Sequence, residues 1–191
     1  MNKSRCAWCG NDPLYMAYHD EEWGVPLRDD KALFEFLMLE TFQAGLSWIT
    51  ILRKRENFRK AFDHFDYEKI AKYDEGDIVR LLSNEGIIRH RKKIEAAISN
   101  AIAFMEVQKE YGSFSHYMWS FVNDETLQPA RGDLSEIPPK TELSDSLAKD
   151  LKKRGFKFVG STVIYAHMQA VGMVNDHVQS CFRYAELGGR K

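Results

Sequence analysis

Leu81-Leu82-Ser83-Asn84-Glu85-Gly86-Ile87-Ile88-Arg89-His90-Arg91-Lys92-Lys93-Ile94 decides how this chain is read. An apolar helix end runs into a glycine turn, and a basic helix start follows. Turn amides beside Arg89, Arg91, Lys92 and Lys93 make a seat for a phosphate. The alternative is a solvated charged face after an ordinary αα turn. A second basic group, Lys149, Lys152, Lys153, Arg154 and Lys157, tilts the reading toward a nucleic-acid backbone. The chain as a whole is neutral, with 27 Lys and Arg against 28 Asp and Glu. That excludes a wholly basic coat protein and leaves room for a local patch.

Outward from this stretch the pattern is helical. Asp29 or Asp30 can cap a helix over 31–40, with Leu33, Phe34, Leu37 and Met38 inward. Ser47 opens a helix to Phe62 after a break at Gln43-Ala44-Gly45-Leu46. Shorter helices follow Asp66 (66–73) and Asp74 (74–83). Ile94, Ala97, Ile98, Ala101 and Met105 recur at threes and fours within a helix over 89–108. Further helices are expected at 113–122, 144–153 and 162–171. Residues 1–28 read as irregular and 123–142 as a long loop. Phe156-Lys157-Phe158-Val159 is the one strand candidate. The class is all-α with about eight helices. At 191 residues the chain fits a single unit, because a lobe on either side of 123–142 is small for its own core. Apolar content of 44% excludes a disordered tail.

Three cysteines are too few and too odd in number for a disulfide framework. The opening MNKSRCAWCGNDP has no apolar signal core, and no run is long enough to span a bilayer. A cytoplasmic protein with reduced thiols and no membrane partner is expected.

Three groupings could carry chemistry. His177 and Cys181 lie four apart, on one face of a helical turn, and Cys6 and His19 sit near the other terminus. Two Cys and two His make a closed tetrahedral structural Zn²⁺ set. The alternatives are buried apolar cysteines with unrelated histidines, or Cys9 as a ligand in place of His19. Secondly, Trp8, Tyr15, Tyr18, Trp23 and Trp48 crowd the first quarter of the chain, which suggests a pocket. Thirdly, Glu40 follows Phe36-Leu37-Met38-Leu39. A buried carboxylate there needs a partner, and the plain alternative is a helix-end Glu facing water.

Several stretches, in order, resemble the DNA-3-methyladenine glycosylase I family. They are Asp12-Pro13-Leu14-Tyr15, Tyr18-His19-Asp20 and Glu22-Trp23-Gly24; Leu39-Glu40 and Gln43-Ala44-Gly45-Leu46-Ser47-Trp48; Gly86-Ile87-Ile88-Arg89-His90-Arg91; Trp119-Ser120-Phe121-Val122-Asn123; and Lys152 to Gly160 with Asn175-Asp176-His177. The resemblance spans Cys6 to Cys181. It implies a helix–hairpin–helix glycosylase fold with the hairpin near 78–94. It also implies a structural zinc on Cys6, His19, His177 and Cys181 that joins segments 1–28 and 161–191.

By the same resemblance, Glu40, Tyr18 and Trp48 are the catalytic residues of a pocket for the methylated base, with Trp8, Tyr15 and Trp23 beside them. Gly45, Leu46, Gly86, Ile88 and Arg91 would meet double-stranded DNA containing alkylated adenine. Phe42 departs from the Gln of some members. The expected enzyme hydrolyses the glycosidic bond of 3-methyladenine, releases the free base and acts as a monomer. Many helix–hairpin–helix glycosylases place an Asp after the hairpin, but none occurs here between Asp77 and Asp124. No Lys stands out as a Schiff-base nucleophile, so no strand cleavage is expected. A non-catalytic damage-binding module and a zinc-stapled peptide-binding domain are the competing readings.

Overall fold

The computed structural model describes residues 3–43 and 45–188. Among them are ten α-helices: α1 (Pro13–Glu21), α2 (Asp30–Gln43), α3 (Trp48–Ala61), α4 (Tyr67–Ile70), α5 (Glu75–Leu82), α6 (Arg91–Tyr111), α7 (Phe114–Ser120), α8 (Glu142–Lys153), α9 (Ser161–Ala170) and α10 (Phe182–Glu186). The all-α expectation holds. Two helices are additional to the sequence reading. α1 lies in the stretch read as irregular because Pro13 looked like a turn former. In fact Pro13 occupies the first helical turn, where its missing N–H costs nothing, and Asp12 accepts from the Leu14 and Tyr15 amides. α10 is a single short turn near the C-terminus.

Caps set most boundaries. The Asp29 carboxylate accepts from the Ala32 amide at 2.8 Å and opens α2. The neighbouring Asp30 instead accepts from the Phe114 and Ser115 amides, at 2.9 and 2.8 Å, across the start of α7. Asp74 and Asp77 close a reciprocal box at α5, and Thr141 and Ser144 do the same at α8. The expected strand at 156–159 is not formed. Phe158 sits at φ +55°, and Asn100 of α6 grips the Lys157 backbone at both its N–H and its carbonyl. Left-handed backbone at Phe158 breaks the extended run that alternating residues suggested. Among the described residues the only β-bridge pairs Leu127 with Val174.

One apolar cluster runs from Tyr18 to Val174 and draws on both sides of the 123–142 loop. α2 is its axle: Leu33, Phe34, Leu37, Leu39 and Phe42 are fully buried. The departure at Phe42 belongs to this core. Its ring packs on Phe58 and Phe62 at 4.9 and 5.6 Å between centroids. It does not line the cavity described below, which takes Gln43 instead.

The N-terminal segment lies across the end of α9, where the Leu27 amide donates to the Val171 carbonyl at 3.0 Å. Gly172 makes this approach possible. A Cβ there would stand 2.5 Å from backbone atoms of Val25 and Pro26. The 123–142 loop is tied down as well. Leu127 exchanges backbone hydrogen bonds with Met173 and Asn175, and the Gln179 amide donates to the Arg131 carbonyl.

Candidate active site

Four helices and one loop enclose a cavity of about 460 Å³. α1 contributes Tyr15 and Tyr18, α2 Glu40 and Gln43, and α3 Trp48; Trp8 and Trp23 flank α1. All six residues expected to form a base pocket therefore converge here. The rings interlock: Trp8 lies 5.0 Å from Trp23 edge to face, and the tilted pairs Trp8–Tyr15 and Tyr18–Trp48 lie 4.9 and 5.5 Å apart.

Sequence reasoning missed the opposite wall. Thr162, Tyr165, Ala166 and Gln169 of α9 face the cavity, and Leu134, Ile137, Pro138 and Pro139 of the loop cover its side. The α9 spacing of three and four was visible, but a helix face with small and polar members was read only as helix.

Glu40 is 4% exposed and does not face water as a helix-end Glu would. Its Oε2 has no protein partner, and neither do the indole N–H groups of Trp8 and Trp48. Unpaired buried polar atoms around a hollow are what a polar ligand would complete. Burial pushes the Glu40 carboxyl up to about 8. Burial thus favours the acid form at neutral pH. Burial, reinforced by Glu40, raises the Tyr18 and Tyr15 phenols too.

Behind the cavity, Cys6, His19, His177 and Cys181 bring one ligand atom each to within 4.8 Å of one another, all buried. Cys6 Sγ and Cys181 Sγ each lie 3.5 Å from His177 Nδ1, and Cys181 Sγ lies 3.4 Å from His19 Nε2. A tetrahedron with metal–ligand bonds of 2.0–2.3 Å has edges of about 3.5 Å. Outer contacts engage the other ring nitrogens: His19 Nδ1 meets Asp20 at 2.8 Å, and His177 Nε2 meets the Trp23 carbonyl at 3.0 Å, while the Cys6 amide also reaches His19 Nε2 at 3.3 Å. Asp20 is held in turn by Arg5. Cys9 is not in this group; its thiol donates to the Cys6 carbonyl at 3.2 Å. The donor set fits a metal ion.

The α5–α6 turn is only partly the open basic seat that was expected. Asn84 Oδ1 accepts from the Gly86 amide at 2.8 Å, and Lys54 Nζ donates to the Glu85 carbonyl at 3.1 Å. Gly86 packs on α3, where a Cβ would come 3.0 Å from Asn57. Lys93 points inward and donates to the Phe42 carbonyl at 3.0 Å. Arg91 pairs with Glu75 at 2.6 Å and with Glu95 at 3.3 Å. Arg89 and Lys92 stay exposed, while Ile88 is half-buried. In the second basic group Arg154 is bound to Glu110 and Asp150; Lys149, Lys152, Lys153 and Lys157 are exposed. Beyond α2, Gly45 takes φ +85° and Leu46 is 39% exposed; Ala44 lies outside the described residues. Glu106, on α6, faces solvent beside Lys109.

Comparison with known proteins agrees across nearly the whole chain. Residues 8–184 match the family model described as methyladenine glycosylase. The DNA-3-methyladenine glycosylase 1 of Escherichia coli (strain K12) is 54% identical over 180 residues, covering 94% of this chain and 96% of that protein. A crystal structure of a 3-methyladenine DNA glycosylase I superposes with a TM-score of 0.91 at 55% identity, covering 94% of this chain and 98% of the other. A variant of such an enzyme in complex with 3-methyladenine also gives 0.91, at 40% identity over 93% of this chain and 96% of the other. With its sequence matched from Trp8 to Tyr184 and its fold shared, the chain belongs to the methyladenine glycosylase family.

Proposed function

We propose that this protein is a monofunctional DNA-3-methyladenine glycosylase. It removes 3-methyladenine from alkylated DNA in base-excision repair and leaves an abasic site. The observation that carries the reading is the ring-lined cavity with one buried carboxylate, in a chain 54% identical to an enzyme of that name.

A nucleotide stacked in a duplex cannot reach such a hollow, so the lesion flips out; a damaged base costs less to extrude. Adenine methylated at N3 is cationic while joined to deoxyribose. When the C1′–N9 bond breaks, its electron pair neutralises the base. Water then bonds to C1′ and gives up a proton to solvent. A leaving group this good needs no strong acid. What remains for the protein is to hold the cation and exclude neutral bases.

Glu40 is suited to that task. A cation about 4 Å away, at an effective dielectric near 20, is worth roughly 4 kcal/mol, or about three pK units. Arrival of the charged base therefore moves a carboxyl poised near 8 to well below neutral pH, and the proton leaves. A neutral base offers no such return. Tyr18 and Trp48 supply ring faces for stacking and cation–π attraction, with Trp8, Tyr15 and Trp23 behind them.

The remaining assignments belong to the same proposal. α5, the Gly86 turn and α6 form the helix–hairpin–helix near 78–94. It meets the DNA backbone through Gly86, Ile88 and the exposed end of α6, with Arg91 available once Glu75 and Glu95 release it. Gly45 and Leu46 face the gap left by the flipped nucleotide. Cys6, His19, His177 and Cys181 hold one structural Zn²⁺, which joins segments 1–28 and 161–191 within a single 191-residue unit. The ion has no open position, so it fixes structure and activates no water. The protein acts as a monomer in the cytoplasm, and no described helix is long and apolar enough to cross a membrane.

The deciding experiment incubates the protein with N-methylated DNA and identifies released bases by chromatography. Free 3-methyladenine with intact, alkali-labile strands is expected. Tight DNA binding without any released base would establish the non-catalytic module instead.

A further inference from the structure

Behind the α9 wall of the cavity lies Asp176, with no exposed surface. Its Oδ2 accepts from the Tyr165 hydroxyl at 2.5 Å and from Gln169 Nε2 at 2.9 Å. Its Oδ1 accepts from Arg131 Nε at 3.2 Å. An ionised carboxylate only accepts hydrogen bonds, so it dictates which end of the Gln169 amide it holds. One of its two N–H groups is held by Asp176, and the carbonyl oxygen is the end left for the cavity that Gln169 lines. The Tyr165 hydroxyl proton is committed in the same way, which leaves that residue to present its ring. The Tyr165 hydroxyl and one N–H of Gln169 are thus spent on a residue outside the cavity, while Thr162, which also lines it, is not.

We propose that Asp176 is a positioning residue that makes Gln169 a fixed hydrogen-bond acceptor in the base pocket, and that this acceptor selects purines with an amino group at C6. The inference rests on reading the cavity as the base pocket. Adenine carries a C6 amino donor, whereas guanine carries an acceptor oxygen there. A 6-amino purine satisfies the Gln169 oxygen. A 6-oxo purine sets oxygen against oxygen, and Gln169 cannot turn to help it because Asp176 holds its nitrogen. Discrimination built on buried polar pairing is far stronger than discrimination by shape.

The test compares affinities for free 3-methyladenine and free 3-methylguanine by titration calorimetry, in wild type, Gln169→Leu and Asp176→Asn. Thermal melting and metal content accompany each measurement. Wild type should prefer 3-methyladenine, and Gln169→Leu should reduce the ratio of the two affinities about tenfold, mainly by weakening 3-methyladenine. Asp176→Asn should reduce it as well, because an Asn partner can donate and lets the Gln169 amide turn. A purely structural Asp176 would lower melting temperature or both affinities together and leave the ratio alone. A ratio within about twofold of wild type in Gln169→Leu overturns the proposal. That variant decides the matter even if Asp176→Asn does not fold, since Gln169 is half-buried at the cavity wall. Failure of wild type to bind 3-methyladenine would overturn the pocket reading itself, a different result.

Discussion

Glu40 sets a cost that the fold bears at neutral pH. Unfolded, the side chain loses its proton near 4.5; buried, it keeps it up to about 8. Between those values the native state binds more protons, so this residue's contribution to stability falls as pH rises and levels off above about 8. At pH 7 the loss approaches about 3 kcal/mol. Glu40→Gln removes it. Thermal melts should show the variant stabilised relative to wild type at pH 8 and little changed at pH 4.5, while excision of 3-methyladenine from methylated DNA falls. An equal shift in melting temperature at both pH values would contradict the assignment. The carboxylate was only half legible in sequence: an acid after Phe36, Leu37, Met38 and Leu39 reads as readily as a helix-end Glu facing water, and the family resemblance put it in the pocket. Gln169 and Tyr165 were not legible, since a polar residue on a helix face gives no sign of what stands behind it. Asp176, 7 and 11 residues further on, supplies that meaning only in three dimensions.

Helices read well from sequence where a cap and an apolar stripe agreed, as at α5; at α8, expected from 144, the Thr141 cap went unread and the helix starts at Glu142. α4 reduces to one turn behind its Asp66 cap because Asp74 starts a new helix so soon after. The basic content of the α5–α6 junction was counted correctly, but its use was not. Counting charges does not reveal that Lys93 caps the end of α2 or that Arg91 already has two carboxylate partners. What the proposed reading leaves for DNA at this junction is the turn, seated on α3 at Gly86, with the exposed Arg89 and Lys92 beside it. Gly86→Ala should push this turn off Asn57 and weaken binding to an abasic duplex about tenfold, with a shallower salt dependence. Affinity for the free base should stay at the wild-type level. Unchanged duplex affinity, measured by fluorescence anisotropy across salt concentrations, would remove the turn from the DNA interface.

Across the whole molecule, the metal cluster and the cavity share their supports. Tyr18 and His19 are neighbours on α1; the Trp23 ring lines the cavity while its carbonyl holds His177. Candidate ligands separated by more than 150 residues meet where the N-terminal segment lies on α9, an approach that Gly172 allows. Spacing along the chain could therefore propose the four but could not choose between His19 and Cys9. Mass spectrometry under native conditions should find one zinc ion per chain, and none in Cys181→Ala. The metal-free protein should melt about 10 °C lower or more and lose affinity for 3-methyladenine in parallel. A metal-free form with full base affinity would separate the two sites.

The shared carbonyl of Trp23 also gives the enzyme a weak flank. A chelator or a thiol-seeking poison need never enter the purine's seat to silence it: by loosening His177 from behind, it lets the indole that walls that seat swing free. With zinc as the proposed ion, repair of alkylated adenine is expected to fail in a cell short of it, with the gene and its product both intact.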